Sequence, residues 1–173
     1  PQLVFVLGRA QQAFDEIDAA LTTFGKLVAQ QPNSPLPLLA MAEAQAQAKN
    51  NDGAMNSLRK ALALKPDLVE AQVALMRLQV ASGKSKEALT QAKEIQKQRP
   101  IMDLWCMLEA DVHASQKAWK EAVAAYRAAL KVAPESTEIA IKANAVQSAS
   151  GGSADAEKFA AQWTKDHPKD VGF

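Results

Sequence analysis

Apolar residues recur in this chain at a fixed distance. Ala20, Ala54, Ala88, Ala122 and Ala156 stand 34 residues apart, and so do Phe5, Leu39, Val73, Met107 and Ile141. Proline keeps the same step at Pro32, Pro66, Pro100, Pro134 and Pro168. Between the prolines lie long stretches with neither Gly nor Pro and with few β-branched runs, a composition that favours helix. One period shared by such different residue types defines five repeats, 1–34, 35–68, 69–102, 103–136 and 137–170, with 171–173 opening a sixth.

Each ladder has a physical reason. The alanine is expected early in the second helix of a hairpin, where it crosses the first helix and a larger side chain would push the two apart. The proline lacks an N–H and disfavours helix in the residue before it, so it should end the second helix and turn the chain toward the next hairpin. The intervening turns show as the runs at 49–53 (KNNDG), 82–85 (SGKS) and 150–153 (SGGS). Gly and Asn tolerate left-handed backbone there, while Asp52, Ser85 and Ser153 are the expected caps of the helices that follow. Repeat 1 lacks the glycine, and Asp15 with Asp18 are its cap candidates. The predicted architecture is all-α: ten helices in five hairpins, wound as a right-handed superhelix, with no strand.

A 34-residue hairpin with a late alanine and a closing proline resembles the tetratricopeptide (TPR) repeat. The resemblance implies a TPR-type α-α superhelix, a solenoid of about five helix-turn-helix repeats. Several positions depart from that pattern. The early Trp is replaced by Val4, Leu38, Gln72, Cys106 and Ala140, while Trp105 stands one residue ahead and Glu109 takes a usual Leu position. The first helix of repeat 4 is therefore expected to be rotated so that Trp105, Leu108 and Val112 form its buried stripe. Repeat 5 diverges most, with Ala160 where Phe24 and Tyr126 stand; Trp163 is placed to fill the space.

A narrower resemblance rests on residues 61–75 (ALALKPDLVEAQVAL), 94–100 (EIQKQRP), 108–112 (LEADV), 124–130 (AAYRAAL) and 140–142 (AIK). Together, across most of residues 54–168, these are similar to the TPR-repeat lipoproteins of bacterial exosortase/PEP-CTERM sorting systems. That resemblance implies a long array tethered to the cell envelope by an N-terminal lipid, periplasmic or outer-membrane-associated, and encoded near exopolysaccharide genes. The chain begins at Pro1 without a Met, and it reads as an interior piece of such an array, in which Cys106 is not the lipidated cysteine.

Composition narrows the classes. The chain is 48% hydrophobic but only 5% aromatic, so small side chains dominate its apolar content, as close-packed helices require. Its 20 basic and 19 acidic residues are interspersed and leave a net charge of +1. Nucleic-acid binding needs clustered Lys and Arg, so it is not expected. Cys106 is the sole cysteine, which rules out an internal disulfide and a thiolate zinc site. No apolar run approaches the roughly 18 residues of a membrane span, and no signal peptide is visible.

Catalytic chemistry is not legible either. His113 and His167 fall in different repeats. Cys106 and His113 share a helical face but stand about 10 Å apart along the axis, against the roughly 3 Å that a thiolate–imidazole pair needs. Phosphate-loop, metal-helix and nucleophile-elbow motifs are missing. The expectation is a protein that is not an enzyme, with no cofactor, no metal and a protein or peptide partner.

Stacked hairpins leave their first helices lining a concave face, the usual seat of a peptide or partner helix. The fifth residue of each repeat should face it: Phe5, Leu39, Val73, Met107 and Ile141. The ninth residue, one turn on, is Arg9, Glu43, Arg77, Asp111 and Ala145. Two readings stay open. In one, Leu39, Val73 and Met107 anchor a partner and Arg77 gives the groove its polarity. In the other, the apolar ladder packs inward and the alternating charges satisfy one another between repeats. TPR domains that clamp a chaperone's C-terminal carboxylate resemble one another in carrying Lys and Asn at these two positions. No repeat here has that pair, so this role is not expected. A binding scaffold, a structural spacer that sets distance or self-associates through its repeat ends, and a cytoplasmic adaptor remain the functional alternatives.

Overall fold

The structure is a computed structural model that describes residues 1–98, 103–170 and 172–173, apart from the side chains of Gln98 and Asp103. Among the described residues there are ten helices and no strand. They are α1 (Gln2–Ala13), α2 (Ile17–Gln30), α3 (Pro35–Gln47), α4 (Asn51–Leu64), α5 (Val69–Ala81), α6 (Ser85–Gln98), α7 (Asp103–Ser115), α8 (Trp119–Val132), α9 (Thr137–Ala149) and α10 (Ser153–Asp166). Each 34-residue segment holds two of them. The second helices α2, α4, α8 and α10 stop two residues before Pro32, Pro66, Pro134 and Pro168, where the pyrrolidine ring bars a further turn. Pro100 and Val171 lie outside the described residues.

The turns inside the hairpins obey a ladder of their own. Asp15, Lys49, Gly83, Lys117 and Gly151, again 34 apart, all have positive φ, between 58° and 84°. Each follows the last residue of a first helix by two. In the first hairpin the amide of Asp15 donates to Gln12 O and that of Glu16 to Gln11 O. The same two bonds recur from Lys49 and Asn50, from Lys117 and Ala118, and from Gly151 and Gly152. This is the Schellman closure, which satisfies the free carbonyls at a helix end through one left-handed residue. Three of the five positions use a residue with a Cβ, a conformation that costs roughly 1–2 kcal/mol each.

The expected caps need correcting. The cap of α4 is Asn50, whose Oδ1 accepts from the Gly53 amide at 2.9 Å, whereas Asp52 already lies within the first turn. Gly53 is helical and keeps negative φ; a Cβ there would fall 2.7 Å from the Asn50 amide nitrogen, so its use is to make room for the cap. Ser85 and Ser153 are the first residues of their helices, and Gly152 stands at the cap of α10 without a side-chain bond. In repeat 1 neither Asp15 nor Asp18 caps α2: Asp15 is the left-handed residue, Asp18 sits in the first turn, and Glu16 holds the cap position.

The chain forms two units, Pro1–Gly83 and Lys84–Phe173. In the first, α1 packs on α2, α2 on α3, α3 on α4 and α4 on α5. Phe24 is fully buried, 6.0 Å ring to ring from Phe5, and joins Ala20, Leu27, Ala40 and Ala44 in one core cluster. Gly8 makes this possible. A Cβ on Gly8 would lie 2.6 Å from the Phe24 ring, so the missing side chain is the seat of the aromatic. A second cluster gathers Met55, Leu58, Ala71 and Leu75 from α4 and α5.

In the second unit α6 packs on α7, α7 on α8, α8 on α9 and α9 on α10. Trp105, Leu108 and Val112 are all buried, as the displaced stripe of repeat 4 predicts, with Trp105 fully enclosed. Tyr126 takes in this unit the position that Phe24 has in the first. In repeat 5, Trp163 is 6% exposed and stacks on the His167 ring at 3.9 Å. Its Nε1 donates to Asp170, which also accepts from Thr137 Oγ1 at 2.7 Å. These two bonds hold the Asp170 carboxyl below its usual range and tie the chain after α10 back to the start of α9.

The alanine ladder lies where a crossing residue must. Ala20, Ala54, Ala88 and Ala122 are fully buried and Ala156 is 3% exposed. Ala88→Leu and Ala122→Leu should each cost about 1–3 kcal/mol through overpacking. Thermal midpoints equal to that of the parent would place these alanines away from the crossings.

Candidate partner-binding site

The fifth-position residues are not equivalent once folded. In the first unit Phe5, Leu39 and Val73 are half-buried: Phe5 flanks the Phe24 cluster and Leu39 the α4–α5 cluster. In the second unit Met107 is a core residue at 7% exposure, while Ile141 is 44% exposed. Inward packing therefore consumes most of Met107, part of Phe5, Leu39 and Val73, and little of Ile141.

Of the ninth-position charges, Arg9 and Glu43 pair with each other, Asp111 pairs with a residue of the next repeat outside that ladder, and Arg77 does not pair among the described residues. Arg9 binds Glu43, and its guanidinium also lies 5.4 Å from the centre of the Phe5 ring, within cation–π range. Asp111 is a junction: it accepts from Lys142 at 3.1 Å and from the Tyr126 hydroxyl. Burial first, and then the Asp111 bond, pushes the Tyr126 phenol far above its ordinary range, so it stays a proton donor. Lys142 also reaches Glu138 at 3.3 Å. Arg77 is exposed and, among the described residues, has no ion pair or hydrogen bond. Ala145 is exposed and contributes no charge.

Two polar features escaped the sequence reading. Lys142, one residue after the fifth position, is the partner of Asp111; its spacing of 31 residues is one repeat less one short turn. Behind the first helices runs a polar clasp. Thr23 Oγ1 donates to Gln11 Oε1 at 2.8 Å, and one repeat later Ser57 Oγ donates to Gln45 Oε1 at 2.7 Å. The signal for it was Gln11, Gln45 and Gln79 on the 34-residue step, interrupted by His113 and resumed at Gln147.

The chemistry of the remaining candidates is modest. Cys106 is half-buried against the α7–α9 core. His113 Nε2 stands 3.9 Å from Glu109, and His167 Nε2 3.4 Å from Glu135. Among the described residues there is no group of three or more side chains fit to hold a metal ion, and no helix is long and apolar enough to cross a membrane.

Comparison with known proteins gives the fold its name. Across 98% of this chain and 97% of its own, the MamA structure from Desulfovibrio magneticus RS-1 superposes with a TM-score of 0.77 at 16% identity. A thermophilic TPR protein of Thermus thermophilus superposes with a TM-score of 0.68 at 22% identity, over 98% of this chain and 93% of its own. A tetratricopeptide repeat protein from Parabacteroides merdae reaches 0.78 at 14% identity, over 95% of this chain and 64% of its own. No curated protein sequence matches the chain. Residues 5–148 match the family described as tetratricopeptide repeat-like domain. Five 34-residue hairpins, an alanine at each crossing and a match over most of its length make this chain a member of the tetratricopeptide repeat-like family.

Proposed function

We propose that this chain is a non-enzymatic scaffold that holds a protein partner against its first helices. The observation that carries the reading is the uncovered chemistry left on the first helices of the first unit: Arg77 exposed and unpaired among the described residues, with Leu39 and Val73 only partly covered. A cation beside partly exposed aliphatic side chains suits an extended or amphipathic peptide that carries an acidic residue near an apolar one. The setting we infer is the bacterial cell envelope, with the parent a periplasmic or outer-membrane-associated lipoprotein of an exosortase/PEP-CTERM export or exopolysaccharide system. That inference draws on the sequence resemblance across residues 54–168. A second reading, a spacer or oligomerisation array without a ligand, draws on Arg9–Glu43 and Asp111–Lys142, the pairs that satisfy charge between repeats.

Crosslinking of the full-length protein in envelope preparations separates the two. A scaffold should give one discrete crosslinked partner that is lost on Arg77→Glu, a change on an exposed side chain that leaves the helix intact. Crosslinks confined to copies of the same protein, or a partner retained after Arg77→Glu, would favour the spacer.

A further inference from the structure

Interspersed along the chain, the basic residues are not interspersed in space. In the second unit the second helices turn repeat positions 20, 24 and 27 inward: Ala88, Ala92 and Ile95 in α6, and Ala122, Tyr126 and Ala129 in α8, are all buried. At 3.6 residues per turn, positions 18, 22, 25 and 29 lie on the opposite, outermost face. In α6 these are Lys86, Thr90, Lys93 and Lys97. In α8 they are Lys120, Ala124, Arg127 and Lys131, and in α10 Ala154, Lys158, Ala161 and Lys165. All twelve are exposed; eight are basic and none is acidic. The acids of these helices stand about a quarter turn aside, Glu87, Glu94, Glu121, Asp155 and Asp166 on one flank and Glu157 on the other. Because α8 packs on both α7 and α9, and α6 and α10 on one of them each, the three outward faces share the side of the unit away from α7 and α9.

This face works against the helices that carry it. Lys93 with Lys97, and Arg127 with Lys131, are like charges four residues apart, a spacing that destabilises a helix. Lys86 and Lys120 stand in the first turns of α6 and α8, where the helix dipole disfavours a cation. Among the described residues only Lys97 of the eight has an ion pair, with Glu94 at 3.6 Å. Nor does the repeat demand such a surface. In the first unit the same positions are Asp18, Thr22, Gly25 and Ala29 in α2, and Asp52, Asn56, Arg59 and Ala63 in α4, two acids and one base.

We propose that the outward face of α6, α8 and α10 docks on a membrane surface that carries anionic phospholipid, without entering the bilayer. The cations form a grid over three helices rather than one track, which matches a sheet of headgroups better than the thread of a linear polyanion. Between them stand only Thr90, Ala124, Ala154 and Ala161, so the charged heads are outermost and nothing bulky holds a headgroup off. The face has no aromatic side chain to stack on bases and no Asn or Gln to read their edges. It also has no large apolar residue to anchor in the lipid, so attachment is electrostatic, reversible and weakened by salt. The surface belongs to second helices and does not rest on the partner site proposed for the first helices.

The test is sedimentation of the whole chain with vesicles of phosphatidylcholine containing about 30% phosphatidylglycerol. Binding is expected at low salt, and none to vesicles of phosphatidylcholine alone. Lys93→Glu, Lys120→Glu and Arg127→Glu combined should weaken it by about a hundredfold or more, at roughly fivefold for each cation lost. That variant should melt no lower than the parent, since it breaks both like-charge pairs and puts a carboxylate in the first turn of α8. A matched control, Lys26→Glu, Lys60→Glu and Lys65→Glu, makes the same change in net charge at exposed positions of the first unit and should keep most of the binding. Arg77→Glu should keep it too. No preference of the parent for the anionic vesicles, a second-unit variant that binds like the parent, or equal losses in that variant and the control would each overturn the proposal. A short DNA duplex held more tightly than the vesicles, and lost by the second-unit variant, would reassign the face to a nucleic acid and overturn the membrane assignment.

Discussion

Phe24→Ala should be among the most damaging single truncations in the first unit, costing about 3–5 kcal/mol. The ring is fully buried and fills the space that Gly8 leaves open, so nothing nearby can collapse into the cavity without moving α1 against α2. Hydrogen exchange locates the loss as well as its size. Because repeat arrays couple mainly through nearest neighbours, amides of α1 to α3 should exchange faster while those of α8 and α9 hold their protection. The converse change gives a control. Gly8→Ala adds a methyl where the ring sits, and Phe24→Leu in that background should recover part of the loss, since touching residues do not add independently. A Phe24→Ala chain as stable as the parent would mean that the ring is not the keystone of this hairpin.

Substitutions on the candidate binding face should split by burial. Met107→Ser is expected to cost about 2–5 kcal/mol, because the residue belongs to the α7–α9 core and the change adds a polar group to the cavity it leaves. Ile141→Ser, at an exposed position, should shift stability by no more than about 0.5 kcal/mol. Leu39→Ser and Val73→Ser should fall between them. Partner crosslinking measured beside the thermal midpoint then gives a clean outcome. A loss of crosslinking at unchanged stability places the binding face on the first helices of the first unit if Arg77→Glu causes it, and on those of the second unit if Ile141→Ser does. If only the variants that melt early lose the partner, the fifth-position ladder is core and binding lies elsewhere.

Much of this was legible in the sequence because a repeat asks every thirty-fourth residue to do the same job. Ala20 and Ala122 stand at crossings for one steric reason, and Pro32 and Pro134 end helices for one backbone reason, so the period survives divergence everywhere else. The left-handed turn residue was harder to find. Its position is dictated by the Schellman closure, but Asp15, Lys49 and Lys117 occupy it with residues that do not advertise left-handed backbone, and Gly53 drew attention to the wrong end of its turn. Asn50 outcompeted Asp52 as a cap because the helix starts two residues earlier than the acidic side chain suggests.

The candidate site was less legible still. Residue type places Met107 and Ile141 in one ladder, whereas exposure depends on which neighbouring helix covers each, and no single position encodes that. The polar clasp was hidden for the opposite reason. Glutamine and serine read as surface, although Ser57 is 5% exposed and is kept buried by the bond that it donates to Gln45.

The wiring of each unit, helix to next helix along the chain, has a mechanical consequence. A globular core resists extension as one block, because strands and helices distant in sequence are stitched together and must part at once. Here, within either unit, the load borne by one helix passes mainly to its immediate neighbours, with lighter ties two helices on, from α1 to α3 and from α7 to α9. Pulled by its ends, each unit should therefore yield hairpin by hairpin, in short steps at modest force, and rewind in the reverse order when released. Such a chain is a spring with a graded travel, and the Arg9–Glu43 and Asp111–Lys142 pairs between successive repeats are its detents.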